Sequence, residues 1–477
     1  MNSKNQKKDI KDLLAGFKPQ PGHKMPVTRR EFVAQGLIAG TGYMFLPSLL
    51  DAILNGSIAR AAECATGSAA GGLTLPAHVT VGASGGACFA WDFIPGDAGG
   101  NFLNGYTTIG LPNNSLLASP FANTNLRIST TGTMVPAILA AAGAAVCART
   151  TVIPIAVKSS DDNNTDKLDI SASLVNVGLV SKVKVMGNQS TATGVSFSDG
   201  MGLSPVTPFV PRSVNDVVGA LGSPAVGAFA ALPMVQRDRV MRMISNISKD
   251  EASRLMQAST GKQAADLLDC AHTQNITLAT APAKGDPRID TRVNTIWGLT
   301  AVSNDSNTVE AAMVLAALNG DSGPIGINRG GFDYHNQGQT VQNNKHVELG
   351  TLIGRILASA AAIGKDVVIS LITDGATSAG GDLAPGGDSG NRGMRVQFHF
   401  KAAGNLPNVK ALNSMIGYFN ASQQNDPGSP TRDNETRGAI SALLNYLQFA
   451  GQLGMLNTAF PGNQLSTTDI STLTALG

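Results

Sequence analysis

The fold is decided by the stretch from Pro324 to Thr373, in which two β-rich segments flank a loop and a long helical pattern. The stretch opens with PIGIN at 324–328, continues with GGFDYH at 330–335 and closes with DVVISLIT at 366–373. The first and last pieces are rich in apolar and β-branched residues, which predicts buried strands. The run 346–364 has apolar residues at helical spacing. Strand, helix and strand in this order predict a parallel βαβ unit.

The same alternation extends outward over most of the chain. Residues 78–83, HVTVGA, predict a first core strand that ends in the turn Ser84-Gly85-Gly86. Further strands are predicted at 150–157 and 394–400, and further helices at 133–148, 237–270, 309–318 and 437–456. Pro154 lacks a backbone donor, which indicates an edge position or a bulge for its strand. We therefore expect an α/β fold with a largely parallel sheet flanked by helices.

The first 61 residues predict a twin-arginine signal peptide. Arg29 and Arg30 stand directly before a moderately apolar stretch at 32–50, and a polar, basic segment precedes them. Glycine, glutamine and proline interrupt that stretch, which makes a permanent membrane helix a poor fit. Ala59-Arg60-Ala61 matches a small-x-small cleavage site, so we expect cleavage after Ala61 and no stable membrane span afterwards. The mature protein is then periplasmic, cell-surface or extracellular.

The mature chain is expected to form a single domain over 62–477, with an irregular insertion around 190–300. The leader carries nine of the 35 Lys and Arg residues and four of the 33 Asp and Glu residues. The mature part keeps 26 bases and 29 acids, a net charge of about −3. This balance lacks the basic surface that nucleic-acid binding needs, so no nucleic-acid partner is expected. Low charge and many small residues are compatible with self-association or surface-assembly partners.

Four cysteines remain after the expected cleavage, at Cys64, Cys88, Cys147 and Cys270. In an oxidising compartment they can form two disulfides, and the sequence leaves their connectivity open. No Cys-x-x-Cys spacing occurs, so a zinc site built on cysteines is not expected.

A succession of motifs follows the predicted strands of the second half. The segment Gly-Gly-Phe-Asp-Tyr-His at 330–335 precedes His346 and its helix, and Gly-Gly-Asp-Ser-Gly stands at 386–390. The last long helix runs through Leu-Gly-Met to Phe-Pro-Gly at 460–462. This succession resembles a large family of twin-arginine-exported bacterial proteins of unknown function, distantly related to the alkaline phosphatase/sulfatase superfamily. The resemblance spans most of the mature chain and implies an alkaline phosphatase-like fold.

The resemblance also implies a metal site. In the superfamily, carboxylates and imidazoles at the carboxyl ends of the strands hold one or two divalent metals, and a Ser, Thr or formylglycine attacks the ester. Asp333 and His335 match this pattern, and two residues apart in an extended segment they share a face. Asp374 and Asp388 are the other candidate ligands. Oxygen ligands with imidazole suit one zinc, manganese, magnesium or calcium ion, and a chain without metal stays an alternative.

The chain departs from the family pattern at three places, so the metal site is partly degenerate. Gly-Gly-Ala-Cys-Phe at 85–89 stands where relatives carry Gly-Gly-x-Asp-Gly, which removes a ligand aspartate. Thr-Asp-Gly-Ala-Thr at 373–377 keeps an acid but loses the family's arginine. Asp-Ser-Gly at 388–390 replaces Asp-His-Gly and loses an imidazole. Cys88 is not a formylglycine precursor, because Ala90 and Asp92 replace the required Pro and Arg.

Two hydroxyls are weak candidate nucleophiles, Thr373 and Ser84. Ser84 lies in Gly-Ala-Ser-Gly-Gly at 82–86, only half of the Gly-x-Ser-x-Gly elbow, and no His/Asp pair can be placed beside it. For Asp333 and His335 the alternative is a hydrogen-bonded pair that pins the loop.

Three further histidines and one polar run have weaker claims to a role. His346 and His399 are weaker candidates for the site. His346 stands at the start of a predicted helix, where packing or capping is favoured. His399 alternates with Gln397 in a predicted strand, which favours a structural role. His78 carries no functional interpretation. The Asp- and Asn-rich run at 161–166 could bind calcium, but it lacks the spacing of a calcium loop and is more typical of a solvated turn.

Two function classes follow. The first is an exported non-catalytic or weakly active relative of the superfamily with a surface, binding or assembly role. The second is a metal-dependent periplasmic hydrolase of phosphate or sulfate esters. The loss of two ligands and one arginine favours the first.

Overall fold

The computed structural model describes several segments of the 477-residue chain. The described residues are 75–107, 116–159, 168–189, 203, 206–221, 239, 285–333, 339–373, 378–379, 385–386, 390–432 and 434–477. All of them belong to one compact unit, made of residues 72–247 and 272–477. The predicted leader and its cleavage site therefore lie outside the described residues.

A six-stranded mixed sheet forms the centre of this unit. Its strands are β1 (Ala77–Ala83), β4 (Thr150–Ser159), β5 (Met186–Gly187), β6 (Ile325–Arg329), β7 (Val367–Thr373) and β10 (Gly390–Phe400). They lie in the order β4-β10-β7-β1-β6-β5. Strands β5, β6, β1 and β7 are parallel, and β10 is antiparallel to both of its neighbours. Two short hairpins complete the strands: β2 (Leu116–Leu117) with β3 (Ile128–Ser129), and β8 (Ser378–Ala379) with β9 (Pro385–Gly386).

Helices flank the sheet, and the predicted α/β class with a largely parallel sheet is confirmed. They are α1 (Met134–Ala142), α2 (Ala144–Cys147), α3 (Ser171–Asn176), α4 (Val214–Ala220), α5 (Asn294–Trp297), α6 (Ser306–Leu318), α7 (Gln339–Ile363), α8 (Glu435–Phe449), α9 (Leu456–Ala459) and α10 (Thr467–Leu473). Single 3-10 turns occur at Phe89–Trp91, Asn104–Thr107, Leu412–Ser414 and Leu453–Met455.

Both faces of the sheet are buried, because each carries its own apolar cluster. On one face Val79, Ile369 and Phe398 pack with α1, α6 and α7. On the other face Ile155 and Val368 pack with α8 and the C-terminal segment. Parallel strands covered on both sides are typically near-continuous apolar runs, and β7 with all seven residues buried is such a run.

Helix α7 packs unusually close to α1. A Cβ added to Gly350 would lie 2.3 Å from the Met134 carbonyl oxygen, and one added to Gly354 would lie 2.6 Å from the Cβ of Ala141. By length and composition α7 is also apolar enough to cross a membrane, but more than half of its most apolar window is buried inside the fold. We therefore treat α7 as a core helix.

The predicted elements differ from the observed ones mainly where glycine breaks a helix. The helix predicted over 133–148 is divided into α1 and α2 at Gly143, which has a φ of 83°. The helix predicted over 437–456 ends with α8 at Phe449, before Gly451. A left-handed φ at these positions suits glycine best among the common residues and ends the helical hydrogen-bond ladder.

The prediction from Pro154 is confirmed, since β4 is an edge strand of the sheet. Two segments cover its outer side. The Ile416 amide donates to the Pro154 carbonyl at 3.0 Å, and the Ala156 amide donates to the Ile416 carbonyl at 2.9 Å. The Asn123 side chain donates to the Val152 carbonyl at 2.7 Å and accepts from the Val152 amide at 3.0 Å. The edge therefore presents few unpaired backbone groups.

Candidate functional site

The candidate site lies where β1, β6 and β7 end side by side. Because these strands are parallel, their carboxyl ends meet at one edge, and Ala83 is paired with both Arg329 and Thr373. Ligand sites of open α/β sheets occur at this edge. The loops after β1 and β6 are therefore neighbours in space, although more than 240 residues separate them in sequence.

The turn after β1 is fitted against the loop that carries Asp333. Gly85 and Gly86 have φ values of 118° and 92°, which side chains rarely adopt. A Cβ on Gly85 would lie only 2.2 Å from the Asp333 amide nitrogen. The Phe332 amide also donates to the Ser84 carbonyl at 3.0 Å. The Gly-Gly turn therefore allows the two loops to touch.

Asp333 is exposed at this edge. Its loop is held from α7, because the Lys345 ammonium donates to the Gly330 carbonyl at 3.2 Å and lies 5.3 Å from the centre of the Phe332 ring. His335, Asp374 and Asp388 lie outside the described residues, as does the run 161–166. Their convergence with Asp333 therefore stays a prediction, and the described residues alone contain no group of three His, Cys, Asp or Glu side chains able to hold a metal.

Thr373 is fully buried at the end of β7. Its hydroxyl donates to the Ala83 carbonyl at 2.7 Å and accepts a hydrogen bond from the Ala87 amide at 2.8 Å. These contacts close the turn after β1. They give the hydroxyl a structural role.

Ser84 is half-buried and paired with an amide. Its hydroxyl lies 2.9 Å from Oδ1 and 2.8 Å from Nδ2 of Asn328. The Asn328 backbone exchanges hydrogen bonds with the Asn188 side chain, at 2.8 and 2.9 Å. An amide side chain has no basic group at neutral pH, so this network orients Ser84 without activating it.

Glu310 is a member of this edge that the sequence pattern did not single out. It is 2% exposed on α6, and its carboxylate pairs with the guanidinium of Arg329. Burial raises the pKa of Glu310 to about 7, although Arg329 acts to lower it. A carboxyl that titrates near neutrality beside a strand end is a candidate for proton exchange. In the sequence, Glu310 could have been noticed as the one acidic residue within the apolar run 309–318.

His346 is buried on α7 and contacts the Asp92 carboxylate through Nδ1. The second carboxylate oxygen of Asp92 accepts a hydrogen bond from the Met134 amide at 2.9 Å, at the start of α1. A carboxylate at a helix N-terminus satisfies amides that the helix leaves unpaired. The pair thus joins α1, α7 and the turn Phe89–Trp91, and this geometry agrees with the packing role that the sequence favours for His346.

A second cluster of polar side chains is fully buried on the face of the sheet beneath α8. It contains His78, Thr80, Asp169, Ser370, Arg395, Gln397 and His399. Thr80 donates to Asp169 at 3.0 Å, and Gln397 donates to Ser370 at 3.2 Å and to the Ala442 carbonyl of α8 at 3.1 Å. The predicted alternation of Gln397 and His399 on one strand is confirmed.

Burial sets the charge of this cluster. Loss of solvation lowers the pKa of His78 and of His399 to about 3, with Arg395 adding to the effect on His78. It raises the pKa of Asp169 to about 6 and lowers that of Arg395 to about 9. At neutral pH both imidazoles are therefore neutral, while Arg395 and Asp169 are the charged members.

The two cysteines in the described part, Cys88 and Cys147, are both buried and are not bonded to each other. Burial raises the pKa of the Cys147 thiol to about 11, which makes this thiol unreactive at neutral pH. Cys64 and Cys270 lie outside the described residues, so disulfides that involve them stay predictions.

No family model, curated protein or solved structure matches this chain.

Proposed function

We propose that this chain is an exported, non-catalytic or weakly active relative of the alkaline phosphatase/sulfatase superfamily with a surface, binding or assembly role. The observation that carries the proposal is the Thr373 hydroxyl, which is buried and engaged in two hydrogen bonds within the turn. A hydroxyl nucleophile needs a base within hydrogen-bond reach and a path to its substrate. The full burial of Thr373 argues against such a path.

The second candidate nucleophile supports the same proposal. The Ser84 hydroxyl is hydrogen-bonded to both side-chain amide atoms of Asn328. Asn328 in turn forms hydrogen bonds with the side chains of Asn188 and Gln189. Cys88, at the position where the resembling family carries a ligand aspartate, is 4% exposed among apolar neighbours. An edge with occupied hydroxyls and a substituted ligand suits a binding surface better than a hydrolytic centre.

A metal-dependent hydrolase of phosphate or sulfate esters is the second candidate. The observation that favours it is the exposed Asp333, whose backbone is fixed against the Gly85 turn at the carboxyl edge. Asp333, His335, Asp374 and Asp388 are the residues that would hold a divalent ion. The ion would supply Lewis-acid polarisation of the ester. In this alternative Glu310, with a pKa of about 7, is the group able to accept or release a proton.

Metal content and ester turnover of the purified chain 62–477 separate the two candidates. We expect less than one tightly bound zinc, manganese, magnesium or calcium ion per chain, and no turnover of p-nitrophenyl phosphate or p-nitrophenyl sulfate with any of these ions added. Stoichiometric metal that is lost in Asp333→Ala and kept in Asp321→Ala, an acid on a different loop, would overturn the proposal in favour of the hydrolase.

Thr373 gives an independent test of the same point. If turnover is found, Thr373→Ser and Thr373→Val distinguish a nucleophile from a structural hydroxyl. A nucleophile requires Thr373→Ser to keep the turnover and Thr373→Val to abolish it in a variant that still folds by circular dichroism. Equal turnover in both variants leaves the structural role in place.

Export is tested on the leader. We expect Arg29→Lys with Arg30→Lys to retain the full-length precursor in the cytoplasm, because the arginine pair is the feature that the export route reads. Lys7→Arg with Lys8→Arg, which keeps the charge of the same segment, is the matched control. A mature-sized product outside the cytoplasm in the paired-arginine variant would contradict the localisation.

A further inference from the structure

A groove lies outside the edge strand β4, on elements that take no part in the carboxyl-edge site. It consists of two adjoining clefts of about 320 Å³ and 230 Å³ that share Lys410, Ser471 and Thr474. Its walls are the turn at 96–100, the segment 410–418 and helix α10. The larger cleft falls in the size range of small-molecule sites, and its continuation along α10 makes the groove elongated.

The chain segment that builds the groove is strained. Residues 401–434 connect β10 to α8, and connections of this length are commonly functional. Asn413, Ser414, Gln423 and Arg432 have φ values between 51° and 59°. Within the part of the chain that the structure describes, they are all of the non-glycine residues with positive φ. Of these four, Asn413 lines the larger cleft. Strain of this kind persists where the surrounding structure enforces it, and it concentrates at binding and catalytic sites.

Hydrogen bonds hold the strained wall in place. The Asn413 side chain donates to the Gly100 carbonyl at 2.7 Å, and the Lys410 amide donates to the Ala475 carbonyl at 2.8 Å. Ile416 is paired with β4 on its inner side. The wall is therefore fixed to the sheet, to the 96–100 turn and to the C-terminal segment, and the groove is formed before any ligand arrives.

The charges that line the larger cleft balance. Among the described residues around it, Asp97 and Lys410 are the single acid and the single base. Hydrogen bonds from Asn101 and Gly99 lower the pKa of Asp97, so its carboxylate stays charged and is already committed to its own turn. A strongly ionic ligand would find no net opposite charge here, which favours a neutral ligand.

The remaining lining combines an aromatic ring, aliphatic walls and hydroxyls. Tyr418 is half-buried, with Leu412 and Ile416 beside it along the same segment. Ser471 adds an exposed hydroxyl from α10 to the lining. A tyrosine with one apolar face and one polar tip suits ligands that are themselves amphipathic. Sugar rings have this property, since C–H groups cover one face and hydroxyls project from the rim.

We propose that this groove binds a short, neutral oligosaccharide. One sugar ring lies on the Tyr418 ring, and the hydroxyls of the sugar chain reach Ser471, the Asn413 amide and Lys410 along α10. The proposal does not depend on whether the carboxyl edge is catalytic, because the two sites share no residue.

The test is a titration of the purified protein with maltotriose, cellotriose and triacetylchitotriose, each of them uncharged, followed by isothermal calorimetry and by ligand-observed NMR. We expect at least one of the three to bind with a Kd below about 1 mM. We expect Tyr418→Ala to weaken that binding at least tenfold, Tyr418→Phe to retain most of it, and Ser471→Ala to weaken it severalfold. Thr468→Ala, on the same helix but outside the groove, is the matched control and should bind like the unmodified chain.

Two outcomes would overturn the proposal. One is the absence of binding by all three trisaccharides up to about 10 mM. The other is binding that Tyr418→Ala and Ser471→Ala both leave unchanged, which would place the sugar elsewhere on the chain. If Tyr418→Ala fails to fold, Ser471→Ala decides the matter, since that residue is exposed and its truncation is compatible with the fold.

Discussion

The two faces of the sheet differ in chemistry although both are buried. Toward α1 and α7, β1, β7 and β10 present residues such as Val79, Ile369 and Phe398. Toward α8, the same strands present His78, Ser370 and Gln397. The first face is stabilised by apolar burial. On the second face each polar group needs a hydrogen-bond partner inside the protein, because an unpaired buried group lowers the free energy of unfolding. Burial and polarity are thus separate properties of a strand, and only the first follows from its place in the sheet.

The largest expected effect comes from truncating the apolar face. Phe398 is fully buried, and its ring lies 6.2 Å from the rings of both Phe93 and Phe121. Phe398→Ala should lower the free energy of unfolding by about 3–5 kcal/mol, because it removes apolar contacts and leaves a cavity. Urea unfolding followed by circular dichroism measures the change. A loss below about 1 kcal/mol would show that this face is not the main source of stability.

The polar face should make stability depend on pH. The folded-state pKa of His399 is about 3, against an ordinary value of 6.5, so between these values the unfolded chain binds a proton that the folded chain excludes. Stability from this residue is therefore complete above about pH 6.5 and declines as the pH falls toward 3. Each such group contributes about 1.4 kcal/mol per pH unit within the window.

His399→Leu isolates this contribution from the other titrating groups. Asp169 acts in the opposite sense, because its pKa of about 6 in the folded chain means that stability declines as the pH rises from 3.8 to 6. The difference in unfolding free energy between His399→Leu and the unmodified chain should therefore shift by about 2–3 kcal/mol between pH 6 and pH 4. A difference that is constant over this range would mean that His399 is protonated in the fold.

A smaller effect is expected where the sheet meets its loops. Thr373→Val keeps the shape of the side chain but removes both hydrogen bonds, leaving the Ala83 carbonyl and the Ala87 amide without this partner. We expect a loss of about 1–3 kcal/mol by urea unfolding. Thr373→Ser keeps the hydroxyl and should fall clearly nearer to the unmodified chain. Equal losses for both would show that the methyl group, not the hydroxyl, stabilises this turn.

The smallest change in stability is expected for a surface ion pair that lies outside both faces of the sheet. Lys182 and Asp321 form an ion pair at 3.1 Å, in which the lysine side chain is 41% exposed. Asp321→Ala should cost at most about 1 kcal/mol, and less at high salt, because solvent screens the attraction. This variant sets the baseline against which changes on the two faces are compared.

Much of the sheet was predictable, since β1, β6 and β7 are apolar runs bounded by glycine or polar residues. The partners of buried polar residues were not. Thr80 bonds to Asp169, 89 residues away, and Ser84 bonds to Asn328, 244 residues away. Such pairs follow from which elements lie side by side, and local pattern does not contain that information. Glu310 shows the same limit, because its ion-pair partner Arg329 lies on β6 and not on the apolar helix that carries the acid.

The position of β1 at the middle of the sheet also delays its pairing during synthesis of the chain. The hydrogen bond from Thr373 to Ala83 spans 290 residues, and β1 has neighbours only after β6 and β7 have been synthesised. At ordinary translation rates this delay is roughly 15 to 60 s. During that interval the apolar residues of β1 are without their sheet partners and open to chaperones or aggregation. The central strand of this fold is thus among the first parts to be made, yet its sheet partners come from the second half of the chain.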